Sequence, residues 1–311
     1  MITTVTPNPC IDKTLSVSGF SLDRANRADV LRVELGGKGI NVARAFNALG
    51  GESYCTGFDF GNDSPLGATL DREQIAHGFV RAKGALRVCT KLFDDQTKQM
   101  IEINERGCAV DDHARAKLLD AVAQKAVQSE MLVLSGSLPA GLGSDFYAAC
   151  LAVVHKEAPD CRVIVDADGE SLLLALSQRP FLIKPNEKEF ANTFGVAAEL
   201  GAIDQKAAEL IEQGVLEMIC VSLGERGAYL ADATGACFCT PARVEVRSLQ
   251  AAGDSMVAGL CLALCKGLSL EQILAYGTAA AGATVSHVGT EVGDRTEFEA
   301  ILPSLEVERL R

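Results

Sequence analysis

Asp254 is the one acid in the stretch Leu249–Gly259, between a run of small residues and a helical pattern almost free of charge. A carboxylate in that position serves either as a helix cap, which aspartate does well, or as a base that takes a proton from an attacking hydroxyl. A buried helix N-terminus with consecutive small residues presents free backbone N–H groups and the positive end of the helix dipole. Gly253 and its neighbours could therefore hold the charge that develops on a transferring phosphoryl group, with Asp254 as the base. The cap reading stays open at this point.

Three further clusters suit a phosphorylated substrate and a nucleotide. "GGKGINVARAFNALG" (36–50) sets glycines around Lys38 and leads into a helix, with Asn41 as a lone amide in its first turn. Glycines let backbone approach a ligand, and a helix N-terminus favours anions or hydroxyls. The stretch lacks both the Walker A spacing and the dinucleotide fingerprint. In "KPNEKE" (184–189) and "SLGERG" (222–227), Lys184, Asn186, Ser222, Gly224 and Gly227 follow apolar runs. Glu189 lies one helical turn beyond Asn186, where it could hold water around magnesium or simply face solvent. In "RVCTK" (87–91), period two puts Arg87, Cys89 and Lys91 on one strand face. That basic pair suits a substrate phosphate, or else guards an exposed edge.

The elements that must position these residues are legible as short apolar runs: "ITTVT" (2–6), "MLVLS" (131–135), "RVIVDA" (162–167), "FLIKPN" (181–186) and "MICVSLG" (218–224). They do not alternate cleanly, as expected of strands buried on both faces of a parallel sheet. Amphipathic segments such as 111–127 and 144–156 lie between them, which implies βαβ units with helices on both sides of the sheet. In such sheets ligands bind beyond the carboxyl ends of the strands. Asn8, Asp12, "SGSLP" (135–139), Asp166 and the two clusters above all fall there. Two stretches, 11–35 and 86–105, alternate like strands and enclose no helix. They predict a small separate sheet, a lid over the strand ends, or else an extension of the main sheet, with "DDQTK" (94–98) as a hairpin turn.

Composition narrows the partners. The 311-residue chain is 48% apolar and carries a net charge of −12. Such an acidic surface repels nucleic acid and anionic membrane. The longest apolar run, Met256–Cys265, is far shorter than the roughly 18 residues of a bilayer span. The N-terminal residues have no basic segment followed by a long apolar one, so no signal peptide is expected. Eleven scattered cysteines, mostly inside apolar stretches, predict reduced thiols and a cytoplasmic setting. Cys237 and Cys239 form the one close pair, a weak zinc signal without a partner pair or histidine.

Taken together, "TPNPCIDKT", "GGKGINVARAFNALGG", "VLSGSLPAG", "LIKPNEKE", "VSLGERGA", "AGDSMVAG" and "GATVSHVGT" resemble, in order and spacing, the motifs of the phosphofructokinase B family of ribokinase-like sugar kinases, in its phosphosugar branch. The resemblance implies a single domain over 1–311, a three-layer α/β/α sandwich with a mostly parallel sheet and a β lid. It implies MgATP as donor and fructose 1-phosphate as acceptor, with tagatose 6-phosphate or fructose 6-phosphate as alternatives, and a homodimer through the lid. Residue by residue, Asp254 resembles the base and Gly253 the anion hole. Asp12, Gly37, Lys38 and Asn41 resemble sugar contacts, and Arg87 and Ser137 groups near the substrate phosphate. Lys184, Asn186, Ser222, Gly224, Gly227, Ala251 and Ser286 resemble nucleotide contacts. Glu189 resembles the acid linked to Mg2+ through water.

Three departures from the family matter: Leu249 for the usual threonine, Ala251 for the first glycine, and Cys89 for the lid amide. The usual Thr-Val-Gly-Ala-Gly-Asp reads Leu249-Gln250-Ala251-Ala252-Gly253-Asp254, and the lid pattern Arg-x-Asn-x-Lys has Cys89 in place of the amide. If Ala251 adopts a positive φ, its Cβ costs roughly 1–2 kcal/mol. If φ is negative, the N–H donor is kept at little cost. The altered run at 249–251 raises a rival expectation, a weakly active, ligand-binding protein, and the amide lost at Cys89 leaves the choice of sugar open.

Overall fold

The computed structural model describes residues 1–311. Its strands, in chain order, are β1 (Ile2–Thr6), β2 (Cys10–Val17), β3 (Ala28–Gly36), β4 (Ser53–Phe60), β5 (Ala76–His77), β6 (Val80–Ala82), β7 (Arg87–Asp94), β8 (Met100–Asn104), β9 (Met131–Ser135), β10 (Arg162–Asp166), β11 (Leu182–Ile183), β12 (Met218–Ser222), β13 (Ala228–Asp232), β14 (Gly235–Cys239) and β15 (Val307–Arg309). The helices are α1 (Lys38–Ala48), α2 (Leu66–Arg72), α3 (Asp112–Ala126), α4 (Phe146–Glu157), α5 (Gly169–Leu176), α6 (Glu187–Phe194), α7 (Leu200–Glu212), α8 (Ala252–Cys265), α9 (Leu270–Val285) and α10 (Arg295–Ile301).

The main sheet runs β15-β14-β13-β12-β11-β10-β9-β1-β4-β5, with β6 also paired to β4. From β12 to β5 every pairing is parallel, and β13 to β15 add an antiparallel edge. Successive side chains of a strand point to opposite faces, and the apolar runs use both. On β9, Met131 and Val133 join one core while Leu132 and Leu134 join the other. On β10, Ile164 goes one way and Val163 and Val165 the other. Helices α2 to α7 cover the face of Leu132, Leu134, Val163 and Val165, and α1, α8, α9 and α10 cover the face of Met131, Val133 and Ile164. The expected three-layer α/β/α architecture is therefore present.

α8 is the most enclosed helix near the site. Every residue from Asp254 to Leu264 is buried, as its nearly all-apolar circumference requires. It packs backbone to backbone on α9: a Cβ at Gly259 would overlap the Tyr276 carbonyl and lie 2.9 Å from the Ala280 Cβ. Truncating Leu260 in this contact would cost about 2–5 kcal/mol, enough to loosen the helix end that carries Asp254.

The second sheet is separate, ordered β3-β2-β7-β8. β2/β3 and β7/β8 are antiparallel, and the central β2/β7 pair is parallel. The turn foreseen at 94–98 closes β7 onto β8, and the Asp94 carboxylate accepts from the N–H groups of Gly19 (2.9 Å) and Phe20 (3.1 Å). No helix of the structure is long and apolar enough to cross a membrane.

Two expectations need correction. The strand read at 181–186 is only Leu182–Ile183. Pro185 offers no N–H to a ladder and biases the residue before it away from helix, so Lys184–Asn186 form a polar loop. Asp254 does not start its helix. α8 begins at Ala252, its N-cap is Ala251, and Asp254 sits in the first turn without capping it. The cap reading of this carboxylate is thereby excluded.

Candidate active site

Asp254 is 7% exposed, and its Oδ2 accepts a hydrogen bond of 2.8 Å from Asn41 Nδ2. Asn41 is itself buried on α1. It reaches across because α1 and α8 share one core face, with Val42, Ala45, Phe46 and Val257 in the same cluster. Burial pushes the Asp254 carboxyl up to about 6, and the neighbouring Asp166 adds to this. Lys38, the Asn41 hydrogen bond and Lys184 pull the other way. A group so placed is ionised near neutrality yet ready to take a proton.

Asp166, at the carboxyl end of β10, is 1% exposed. Two ammonium groups, Lys38 Nζ and Lys184 Nζ, each lie 3.4 Å from its Oδ1. Burial alone would raise this carboxyl, but Lys184 and Lys38 outweigh burial and hold it below the ordinary range. Lys38 also meets Glu189 Oε1 at 3.5 Å. Dehydration would lower the Lys38 ammonium, but Asp166, Glu189 and Asp254 outweigh it and keep it firmly charged. Lys184 stands at the open end of α8: a Cβ on Gly253 would be 3.4 Å from its Nζ. The helix end thus combines small residues, free amides and a buried cation.

The backbone conformations decide two points. Gly37 caps α1 with φ 138, and a Cβ there would come 2.7 Å from Thr6 Cγ2. Only glycine lets the loop pass so close to β1. Ala251 has φ 56, the left-handed conformation, so the first of the two alternatives for it holds. Its carbonyl accepts the Ser255 N–H at 2.8 Å, which opens the helix.

Other sequence-singled residues take the following positions. Asp12 is 7% exposed, with Oδ1 3.0 Å from Lys91 Nζ. Lys91 is buried too and donates to Gln250 Oε1 at 2.7 Å. Lys91 is therefore no solvent-facing guard of a strand edge. Arg87 is half-buried and donates from Nε to the Asn8 carbonyl (3.1 Å) and from Nη1 to the Glu105 carbonyl (3.2 Å). Ser137 Oγ accepts from Asn8 Nδ2 at 3.2 Å. Asn186 and Glu189 form a reciprocal capping box on α6, with bonds of 2.9 and 2.8 Å. Ser222 bridges to Asn186, and Gly224 and Gly227 bound a short 3-10 turn. Ser286 Oγ donates to the Ala283 carbonyl at 2.7 Å, closing the end of α9.

Sequence reasoning placed Asp166 and Asn8 at the ligand edge without giving either a role, and it passed over Gln250. Asp166 was visible only as an acid at a strand end. Gln250, inside an altered motif, gave no sign of its bond to Lys91. Asn8 supports both Ser137 and the Arg106 carbonyl.

The doubly covered sheet, the separate small sheet and a polar cluster at the carboxyl ends define a ribokinase-like α/β protein. Comparison with known proteins carries this further. The model of the pfkB family of carbohydrate kinases matches residues 5–297. The chain belongs to that family, and it is a phosphotransferase with an alcohol group as acceptor. It is similar to the 1-phosphofructokinase of Rhodobacter capsulatus, 32% identical over 99% of this chain and 98% of the relative. The 1-phosphofructokinase of Bacillus subtilis is 32% identical with both chains fully covered. Among solved structures, phosphofructokinase-2 from Escherichia coli in complex with potassium superposes with a TM-score of 0.90 at 28% identity, covering 97% of this chain and 98% of that one. The same enzyme in complex with fructose-6-phosphate gives a TM-score of 0.88 at 27% identity over the same shares.

Proposed function

We propose that the protein transfers the γ-phosphate of ATP to the free primary hydroxyl of fructose 1-phosphate, yielding fructose 1,6-bisphosphate. The observation that carries this reading is Asp254, a buried carboxylate held at 2.8 Å by Asn41 in the first turn of α8. Asp254 takes the proton of the attacking hydroxyl. The amides of Ala252 and Gly253 and the Lys184 ammonium hold the negative charge on the transferred group. Asp12, Gly37, Lys38 and Asn41 bind the sugar, and Arg87 and Ser137 its phosphate. Lys184, Asn186, Ser222, Gly224, Gly227, Ala251 and Ser286 line the nucleotide side. The sugar assignment is supported by the two 1-phosphofructokinase relatives that align end to end with this chain.

Magnesium is expected with ATP. Asp166 and Glu189 are hard oxygen donors, yet both already face Lys38, at 3.4 and 3.5 Å. The set suits a hydrated ion held through water at Glu189 rather than a direct bond. When bound, such an ion neutralises phosphate charge.

The second reading is fructose 6-phosphate or tagatose 6-phosphate as acceptor, favoured by the likeness to the fructose-6-phosphate complex. ADP release measured over fructose 1-phosphate, fructose 6-phosphate and tagatose 6-phosphate separates them. Fructose 1-phosphate should give the highest kcat/KM. Binding without turnover for every sugar would reject catalysis and favour the ligand-binding alternative.

The second sheet serves as a lid within one domain, and its outer face pairs two copies. Val30, Val33 and Ile103 are 56%, 59% and 59% exposed on β3 and β8. Exposed apolar side chains at both edges of this sheet, β3 and β8, suit an association surface. The eleven unpaired thiols suit a reducing, cytoplasmic setting.

A further inference from the structure

β2 and β7 run parallel with Cys10 opposite Arg87 and Asp12 opposite Cys89. Side chains two apart share a face, so Cys10 and Asp12 project together from β2, beside Cys89 of β7. Their ligand atoms all lie within 4.8 Å of one another. The three residues are 4%, 7% and 5% exposed. The Cys10 thiol donates to Asp12 Oδ2 at 3.6 Å, leaving the other carboxylate oxygen to Lys91 at 3.0 Å. On β3, a Cβ at Gly36 would overlap Asp12 Oδ2 and lie 3.1 Å from Cys10 Sγ, so the pocket is walled on that side.

We infer that Cys10, Asp12 and Cys89 form a binding site for a soft divalent cation of the zinc class, and that its occupation closes the sugar pocket. Two sulfurs and a carboxylate oxygen are a donor set zinc takes readily, with bonds of roughly 2.0–2.3 Å. Tetrahedral bonds of that length put the ligands about 3.3–3.8 Å apart. The three groups thus need shifts of only about 1 Å from their present spacing. Binding releases the two thiol protons. Two thiolates and one carboxylate then carry three negative charges, which the divalent ion and Lys91 neutralise. Lys91, itself held by Gln250 at 2.7 Å, fixes the carboxylate for coordination. The fourth position is left to water. The inhibitory half of the inference rests on the reading of Asp12 as a sugar ligand; the metal site does not.

The test uses the full chain, reduced with a non-chelating phosphine, stripped of metal and titrated with Co2+. Tetrahedral thiolate coordination should give sulfur-to-cobalt charge transfer and visible d–d bands that saturate at one equivalent and vanish on adding Zn2+. Cys10→Ser and Cys89→Ser should each weaken binding at least ~10-fold, with Cys89→Asn as a second variant and circular dichroism confirming folding. Cys108→Ser and Cys265→Ser, at two less buried thiols, should leave the spectrum unchanged. No d–d bands, or bands surviving in both Cys10→Ser and Cys89→Ser, would overturn the site. Saturating fructose 1-phosphate should weaken cobalt binding. An unaltered cobalt affinity with sugar would leave the site standing and overturn its link to the sugar pocket.

Discussion

Asp254 bears its charge against the preference of its surroundings. Its folded pKa of about 6 lies above the ordinary carboxylate value of 3.8. The folded chain therefore holds that proton more tightly than the unfolded one, and the associated stability is full below about pH 4 and lost as pH rises through about 6. The shift corresponds to about 3 kcal/mol at most. Asp254→Asn avoids this loss, so its Tm should exceed that of the native chain at pH 8, with the gap closing towards pH 4. A lower Tm at pH 8 would reject the argument. Turnover in the same variant should drop by ~10²–10⁴-fold, and native kcat should fall on the acid side of about 6. Ala251 poses a different question, because it holds φ 56 despite its Cβ. The backbone has kept the glycine-like shape and accepted strain of about 1–2 kcal/mol. Ala251→Gly should raise stability in urea by up to about 1 kcal/mol, after the entropic cost of glycine, and leave turnover unchanged. Ala251→Val should lower stability, since a β-branched residue tolerates positive φ still less.

At the scale of elements, the Asn186–Glu189 pair shows a motif doing structural work in the fold. It caps α6 reciprocally while Glu189 still meets Lys38 at 3.5 Å. Glu189→Gln preserves the capping geometry and removes the charge; Glu189→Ala removes both and should cost about 1 kcal/mol. Thermal melts should separate the two variants, whereas the Mg2+ concentration for half-maximal turnover should rise in both. Native Mg2+ dependence in Glu189→Gln would end the magnesium assignment. The buried strands β1, β9, β10 and β12 were legible because burial on both faces demands continuous apolar runs. The antiparallel edge was not: "AYLAD" and "GACFC" are rich in alanine, glycine and cysteine, and such residues carry little strand signal. The close pair Cys237 and Cys239 proves to be core, with the Cys237 thiol donating to the Leu270 carbonyl at 3.7 Å.

For the whole molecule, the outer face of the second sheet is the proposed pairing surface. Val33→Asp combined with Ile103→Asp places charges at positions now 59% and 59% exposed. Sedimentation should then report a monomer where the native chain sediments as a dimer, with little loss of Tm because neither side chain is buried in the protomer. A native chain that already sediments as a monomer would remove the proposal. The main sheet explains why residues so far apart in sequence meet. Parallel strands deliver Asp166, Lys184 and Ser222 to one edge, and α1 and α8 turn their first turns towards that edge from the same face.

By itself the sequence determined the α/β class, the separate small sheet, the family and most of the polar residues at the strand ends. Side-chain periodicity, turn chemistry and motif spacing are local, and local pattern is enough for those conclusions. Tertiary structure alone decided that Lys38 and Lys184 share Asp166, that Asn41 holds Asp254, that Lys91 joins Asp12 to Gln250, and that Cys10 faces Cys89. Each of these depends on strand register and helix packing between distant segments. The charge state of the buried groups depends on distance and desolvation, and neither is written in the order of residues.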